Sequence, residues 1–294
     1  MAEHSGARLR PYFEGWYFKH QAGGRSLALI PGVSRDGLGG GQAFIQVLTD
    51  TASYFVPYPV EAFAVRRAPL GVRVGRSVFT GEGIFLDIRT PEIRLQGKLH
   101  YGPLSPLKTD IMGPFRFVPW MECRHGVVSM RHTLRGRLRL QDEAVAFDGG
   151  IGYIETDRGV SFPRDYLWTQ CSAPELDASL MVSVASIPFL GREFQGCIAA
   201  VQCGDRELRM GTYSGVKVRR YSPSGLILQQ GKHCLKAEFQ DASRQVLQAP
   251  VCGGMIRPVR ETIACTARYR LYERGRLLLD WTSAQASLES ARTE

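Results

Sequence analysis

The chain is patterned in short apolar runs. Stretches of roughly four to eight residues, rich in β-branched and aromatic side chains, end in glycine, proline, aspartate or serine, as strands alternating with tight turns do. Helical periodicity is nearly absent. Ser179-Leu180-Met181-Val182-Ser183-Val184 alternates as a half-buried strand does, and residues 267–281 read as a hairpin turning at Glu273-Arg274-Gly275-Arg276. Residues 137–147 read as another, turning near Gln141-Asp142-Glu143. Parallel sheets need crossover helices, and no long helical stretch separates these strands, so the pattern predicts an all-β fold of antiparallel sandwiches or barrels.

A length of 294 residues suits about two domains, although all-β folds of this size also exist as one unit. A division is expected between residues 125 and 140, giving β domains over residues 1–130 and 131–294. The 32 glycines and 16 prolines are spread evenly, which supplies turns and leaves no low-complexity linker. A hydrophobic fraction of 44% with 22% charged residues excludes a mainly disordered or membrane-embedded chain. No stretch approaches the roughly 20 apolar residues of a membrane span, and no apolar signal-peptide core follows the polar residues 1–10, so the expected location is the cytoplasm. Seven cysteines without a Cys-x-x-Cys pair read as reduced thiols that mostly fill core.

The net charge of +9 comes mainly from arginine, as in Arg66-Arg67, Arg135-Gly136-Arg137-Leu138-Arg139 and Lys217-Val218-Arg219-Arg220. Alternation along a strand sends these side chains to one solvated face and Leu138, Leu140, Val216 and Val218 to the other. No nucleic-acid-binding motif accompanies the charge, so no nucleic-acid partner is expected. Attraction to an anionic membrane surface fits it better.

Gly37-Leu38-Gly39-Gly40-Gly41 lacks the lysine-serine pair and following helix of a phosphate loop and reads as a hairpin loop. Cys123, His125 and His132 lack the spacing of a tetrahedral site, so no metal is expected. No Gly-x-Ser-x-Gly elbow is present. Two segments concentrate aromatic residues around carboxylates. One is Pro11-Tyr12-Phe13-Glu14-Gly15-Trp16-Tyr17-Phe18-Lys19; the other runs from Gly152 through Tyr153, Glu155, Asp157 and Phe162 to Trp168, Gln170 and Cys171. Strands with an aromatic core face account for these residue types as well as a binding site does.

The order of residues in these segments resembles the tocopherol cyclase family. Tyr12 to Phe18 is similar to its opening signature, and Tyr153-x-Glu155 through Gly159, Ser161-Phe162-Pro163 and Trp168-x-Gln170-Cys171 to its central one. Ala249-Pro250, Cys265, Tyr269-x-Leu271, Tyr272-Glu273-Arg274, Leu279-Asp280-x-x-Ser283 and Leu288-Glu289 resemble its C-terminal strands, so the likeness spans residues 11–289. The chain departs from the plant-type signature at Asp157-Arg158, where that signature has asparagine and tryptophan.

The resemblance implies two lipocalin-like, calycin-type barrels packed side by side, a fold shared with lipocalin-like hydratases of carotenoids. It implies an intramolecular cyclase that closes a chromanol ring on a prenylated hydroquinone: the alkene is protonated, the phenol oxygen captures the tertiary cation, and no cofactor is needed. The implied acids are Glu155 and Glu14, with Asp157 a further proton carrier alongside Glu122, His125 and His132. Trp16, Tyr17, Tyr153, Phe162, Trp168 and Gln170 are implied to hold the hydrophobic substrate, in a barrel lumen or between the domains. A non-catalytic carrier of isoprenoids or other lipids and an alkene hydratase are the competing readings.

Overall fold

The computed structural model describes residues 10–119, 121–189, 191–240 and 244–291. Of the polar opening, residues 1–9 lie outside these. The apolar runs form strands. The first set is β1 (Tyr12–Ala22), β2 (Arg25–Arg35), β3 (Gly41–Thr49), β4 (Ser53–Tyr58), β5 (Phe63–Arg67), β6 (Leu70–Val74), β7 (Ser77–Thr80), β8 (Gly83–Arg89), β9 (Arg94–Tyr101), β10 (Cys123–Leu140), β11 (Glu143–Ala146) and β12 (Ile151–Gly159). The second is β13 (Tyr166–Ala173), β14 (Ala178–Phe189), β15 (Arg192–Cys203), β16 (Arg206–Gly211), β17 (Lys217–Ser222), β18 (Gly225–Gln230), β19 (His233–Phe239), β20 (Gln245–Val251), β21 (Gly254–Glu273) and β22 (Arg276–Ser290). Helix among the described residues is confined to short 3-10 turns, and no helix is long and apolar enough to cross a membrane.

The strands form two large antiparallel sheets with the same wiring. The first runs β4-β3-β2-β1-β12-β10-β9-β8-β7-β6-β5 and the second β16-β15-β14-β13-β22-β21-β19-β18-β17, with β11 added on β10 and β20 on β21. In each, four strands meander outward, a 3-10 turn (Val60–Ala62 or Thr212–Ser214) carries the chain to the far edge, and the last strand returns beside the first. This lipocalin-like arrangement rolls each sheet around its own core. Phe18, Leu29, Ile45, Phe79, Ile88 and Leu99 belong to the first core, and Leu180, Val182, Val201, Leu228, Leu235 and Tyr269 to the second. The chain passes between the sheets over residues 160–165; β10 continues unbroken through the 130/131 position at which the sequence was divided.

Several local expectations hold. The β10–β11 hairpin turns at Gln141 with φ 55°, and β21–β22 turns at Arg274 and Gly275 with φ 49° and 80°, the left-handed pair that a two-residue hairpin loop requires. Residues 36–40 form the β2–β3 loop, where Asp36 Oδ1 accepts from the backbone N–H of Leu38 and of Gly40, both at 2.8 Å. Arg135, Arg137 and Arg139 are exposed while Leu134 and Leu138 are buried.

The expectation for β14 needs correction. It is not half-buried: Ser179, Leu180, Met181 and Val182 are all buried. Leu180 and Val182 enter the second core, whereas Met181 joins a third apolar layer between the two sheets, and Ser179 Oγ donates to Met130 O at 2.7 Å. The faces that single sheets leave to solvent are here covered by each other. Tyr17, Met130, Tyr153, Trp168, Val259 and Ile263 share that layer, so β1, β12 and β13 are buried on both faces along much of their length, and β21 is over residues 261–263.

Polar side chains lock the two sheets together. Lys19 Nζ donates to Gln170 Oε1 at 3.2 Å and to Gln285 O at 2.8 Å, and burial lowers its pKa to about 8. Gln46 and Gln248 exchange hydrogen bonds of 3.1 and 2.8 Å. The β20–β21 turn also presses on the first sheet: Gly253, at φ 78°, donates to Val160 O, and a Cβ there would sit 1.9 Å from Arg35 O and 2.6 Å from Tyr12 N.

Gly275 has the same kind of backbone, with nothing within 4 Å of a Cβ. Gly275→Ala is therefore expected to cost only the strain of its positive φ, about 1 kcal/mol. Gly253→Ala must in addition push β1 and β2 aside, and its loss in thermal denaturation should be at least twice as large. Equal losses at the two positions would remove the docking role assigned to Gly253.

Candidate functional site

The site lies in the layer between the sheets, and strand register assembles it. The period of two sends Tyr153, Glu155 and Asp157 of β12 into this layer and Ile154 into the first core. On one side Tyr17 of β1 is the partner of Glu155; on the other His125 of β10 is the partner of Asp157 and lies diagonally from Glu155. From the second sheet, Trp168 of β13 pairs with Glu289 of β22, which pairs with Glu261 of β21. Residues distant in sequence thus form two facing ledges.

The ledges cross. Tyr17 Oη donates to Glu261 Oε1 of the other sheet at 2.7 Å and lies 3.1 Å from Ser287 Oγ. In the reverse direction, Trp168 Nε1 donates to Glu155 Oε2 at 3.2 Å. The two rings meet edge to face with centroids 5.2 Å apart.

Beside them is a partly enclosed cavity of about 170 Å³. Phe13, Tyr17, Phe44, Phe115, Phe162 and Trp168 supply aromatic wall. His125, Glu155, Asp157 and Glu289 supply titratable groups, with Cys123 beside them.

His125 sits between two carboxylates. Its Nδ1 is 3.0 Å from Asp157 Oδ1, and its Nε2 is 3.3 Å from Glu155 Oε2, a contact lacking hydrogen-bond geometry. Burial works against charging the ring, but Asp157 and Glu155 outweigh it and hold its pKa well above the usual histidine value. His125 is the internal cation of the site at neutral pH. Glu155 Oε2 also accepts from Tyr153 Oη at 2.5 Å; burial raises the carboxyl's pKa and His125 opposes the rise.

Glu289 is the cavity acid that the second sheet supplies. Burial raises its pKa to about 7, against the hydrogen bond that Tyr166 Oη donates to Oε1, while the charges of Asp157 and Glu155 push it further up. Glu261 is fully buried, burial and Glu289 raise its pKa well above the usual carboxylate range, and its Oε2 has no hydrogen-bond partner.

The structure brings together Glu155, Asp157, Tyr17, Phe162 and Trp168 from the sequence candidates, together with His125. Tyr153 stands behind Glu155. Trp16 borders the cavity but belongs to the first core, stacked on Phe63 at 6.2 Å. Gln170 is buried away from it, accepting from Lys19 and donating to Ser172 Oγ at 3.1 Å. Glu14 is not brought to the site: it is ion-paired with Arg67 and accepts from Tyr12 Oη at 2.8 Å. Glu122 is exposed at the mouth. His132 lies elsewhere, its Nδ1 3.1 Å from Ser129 Oγ, with its pKa lowered by burial to about 4.

Sequence reasoning assigned no role to Glu261 or Glu289. A signal existed for Glu261, which shares strand phase with Val259 and Ile263 on an otherwise apolar face; Glu289 appears only within a matched motif. Ligand atoms of His125, Glu155 and Asp157 lie within 4.8 Å of one another, close enough for a cation, but both imidazole nitrogens already face carboxylate oxygens.

No protein-family model matches this chain, and no curated protein matches it in sequence. Solved structures do share its fold. CghA crystallised with Sch210972 superposes with a TM-score of 0.60 at 12% identity, covering 95% of this chain and 88% of CghA. Kievitone hydratase from Nectria haematococca gives 0.55 at 11% identity, covering 96% and 88%. CghA in a second structure gives 0.61 at 12% identity, covering 97% and 90%. At these identities the likeness is one of fold.

The raised carboxyl of Glu289 has a consequence for stability. From the usual 4.5 to about 7 the folded chain holds a proton that the unfolded chain releases, so this group's stabilising contribution is full below pH 4.5 and is lost as pH rises through 7. The loss amounts to about 3 kcal/mol at about 1.4 kcal/mol per pKa unit. Urea unfolding at pH 5 and pH 8 should show stability falling with pH, and Glu289→Gln should flatten that fall.

Proposed function

We propose that this protein is an acid–base enzyme acting on the alkene of a hydrophobic prenylated phenol, with intramolecular cyclisation of a prenylated hydroquinone as the leading reaction. One observation carries the reading: an aromatic-walled cavity whose lining brings carboxyl groups of both sheets together with a single imidazolium. The tocopherol cyclase-like order of residues in β1, β12 and β13 supports the choice of substrate class.

Protonating a trisubstituted alkene requires an acid that keeps its proton near neutral pH, and burial keeps Glu289 in that state. Its proton adds to the alkene carbon that leaves a tertiary cation. The faces of Tyr17 and Trp168 stabilise that cation, each by up to about 2 kcal/mol when desolvated. The phenol oxygen then forms the new C–O bond. Its proton passes to Glu155, whose ion pair with His125 favours the carboxylate, so Glu155 takes the part of base where the sequence suggested acid. Proton exchange with solvent at the mouth resets the two groups. The product is an isomer of the substrate.

Hydration is the second reading, favoured by the shared fold of a protein that is by its name a hydratase. Water then replaces the phenol as nucleophile. Holding the substrate folded, with oxygen against alkene, is what separates the two outcomes.

The test is incubation of purified protein with a phytylated hydroquinone, followed by chromatography and mass measurement. A product of unchanged mass with shifted retention and absorbance is expected; a gain of one water would assign hydration. Saturable binding without turnover would leave a carrier and end the enzymatic reading. Glu289→Gln and Glu155→Gln should each lower kcat by about 10²–10⁴-fold, the usual scale of positioned proton transfer, whereas Glu14→Gln should leave kcat unchanged.

A further inference from the structure

Exposed apolar side chains lie close in the chain to residues that line the cavity. Phe117 is 73% exposed, Ile256 70%, Leu38 94% and Val160 38%. Three of them stand within two residues of a cavity-lining position. Phe117 follows the lining residue Phe115 by two positions, Ile256 adjoins Met255, and Val160 precedes Phe162 by two. Leu38 tips the β2–β3 loop, whose base at Arg35 abuts Gly253, and Gly253 in turn donates to Val160 O at 2.7 Å.

Phe117 is held in place. Arg124 donates to Arg116 O at 3.0 Å and to Val118 O at 2.9 Å, gripping the backbone on both sides of Phe117, and the Arg116 guanidinium lies 4.5 Å from the Phe117 ring centroid. A fixed, solvent-facing phenylalanine beside an arginine is costly in water and suits the boundary between headgroups and acyl chains.

The charge at this end matches such a boundary. Arg35, Arg116, Arg158, Arg164 and Arg192 are exposed, and none is in an ion pair among the described residues. The opposing acids are Asp36, Glu122, Asp165 and Glu193, four against these five arginines. Arg124 and Arg257, bonded to backbone carbonyls, leave an excess of positive charge.

We infer that the rim of the cavity docks on an anionic lipid bilayer, with Phe117, Ile256 and Leu38 entering the interface and the surrounding arginines contacting lipid phosphates. The mouth then opens toward the membrane, and a hydrophobic ligand passes between bilayer and cavity without crossing water. This holds whichever reaction the cavity performs, and for a carrier equally.

The test is sedimentation with vesicles of phosphatidylcholine, with and without phosphatidylglycerol, at low and high salt. Binding is expected to anionic vesicles and to weaken with salt. The double substitution Phe117→Ser with Ile256→Ser should weaken it at least about tenfold, on the scale of exposing one buried large apolar side chain. Both side chains are solvent-facing, so the thermal melt should not move. Leu277→Ser with Leu278→Ser, exposed at the β21–β22 hairpin instead, should leave binding as it is. Absence of binding to any vesicle, equal binding to neutral and anionic vesicles, or an unchanged affinity in the double variant would each overturn the inference. So would concentration-dependent self-association abolished by the same substitutions, which would assign the rim to a second copy of this chain.

Discussion

The structure depends on one reciprocal contact: Tyr17 reaches across to Glu261, and Trp168 reaches back to Glu155. Each side chain comes from a strand paired with the last strand of its own sheet, and each finds its polar partner only in the other sheet. Each such hydrogen bond contributes about 0.5–1.5 kcal/mol net, more where the carboxyl is charged, and leaving the partner unmet when buried costs about 1–3 kcal/mol. Separating the sheets would therefore expose the apolar layer and break the polar partnerships together, which ties the two units into one folding event.

The same burial creates the chemistry. Carboxyl groups withdrawn from water resist ionisation, and Glu155, Glu261 and Glu289 share this layer with one imidazolium held between Glu155 and Asp157. The arrangement cannot carry all its potential negative charge, so protons remain on the acids least compensated by donors or cations. Glu261, with one unpartnered oxygen, is the clearest instance. Such a cluster is a poor way to stabilise a fold, since an apolar replacement of similar shape is often as good or better. Its position against an aromatic cavity is what makes it useful.

The repeated wiring does not make the sheets equivalent. The first contributes the imidazolium and its two flanking carboxylates from adjacent strands; the second contributes acids whose nearest donors are tyrosines. A cation-bearing ledge faces a proton-bearing ledge. That asymmetry gives the cavity distinct acid and base sides.

Much of the fold was legible in the sequence because strand alternation and turn chemistry are local. The hairpins at Gln141 and Arg274-Gly275, the basic outer faces and the all-β class follow from residues within a few positions of one another. Half of the site was legible for the same reason, since Glu155, Asp157 and Phe162 lie in one short segment. The rest was not. Whether Glu14 or Glu289 reaches the cavity depends on which face of a strand meets the other sheet: Glu14 meets Arg67 of its own sheet, while Glu289 lies beside Trp168. The burial of β14 on both sides has the same origin. By itself the sequence determined which stretches become strands and where they turn, through periodicity and backbone preference. Only the tertiary structure decided which outward faces were covered, because that depends on pairing between strands more than a hundred residues apart, and with it which acids kept their protons.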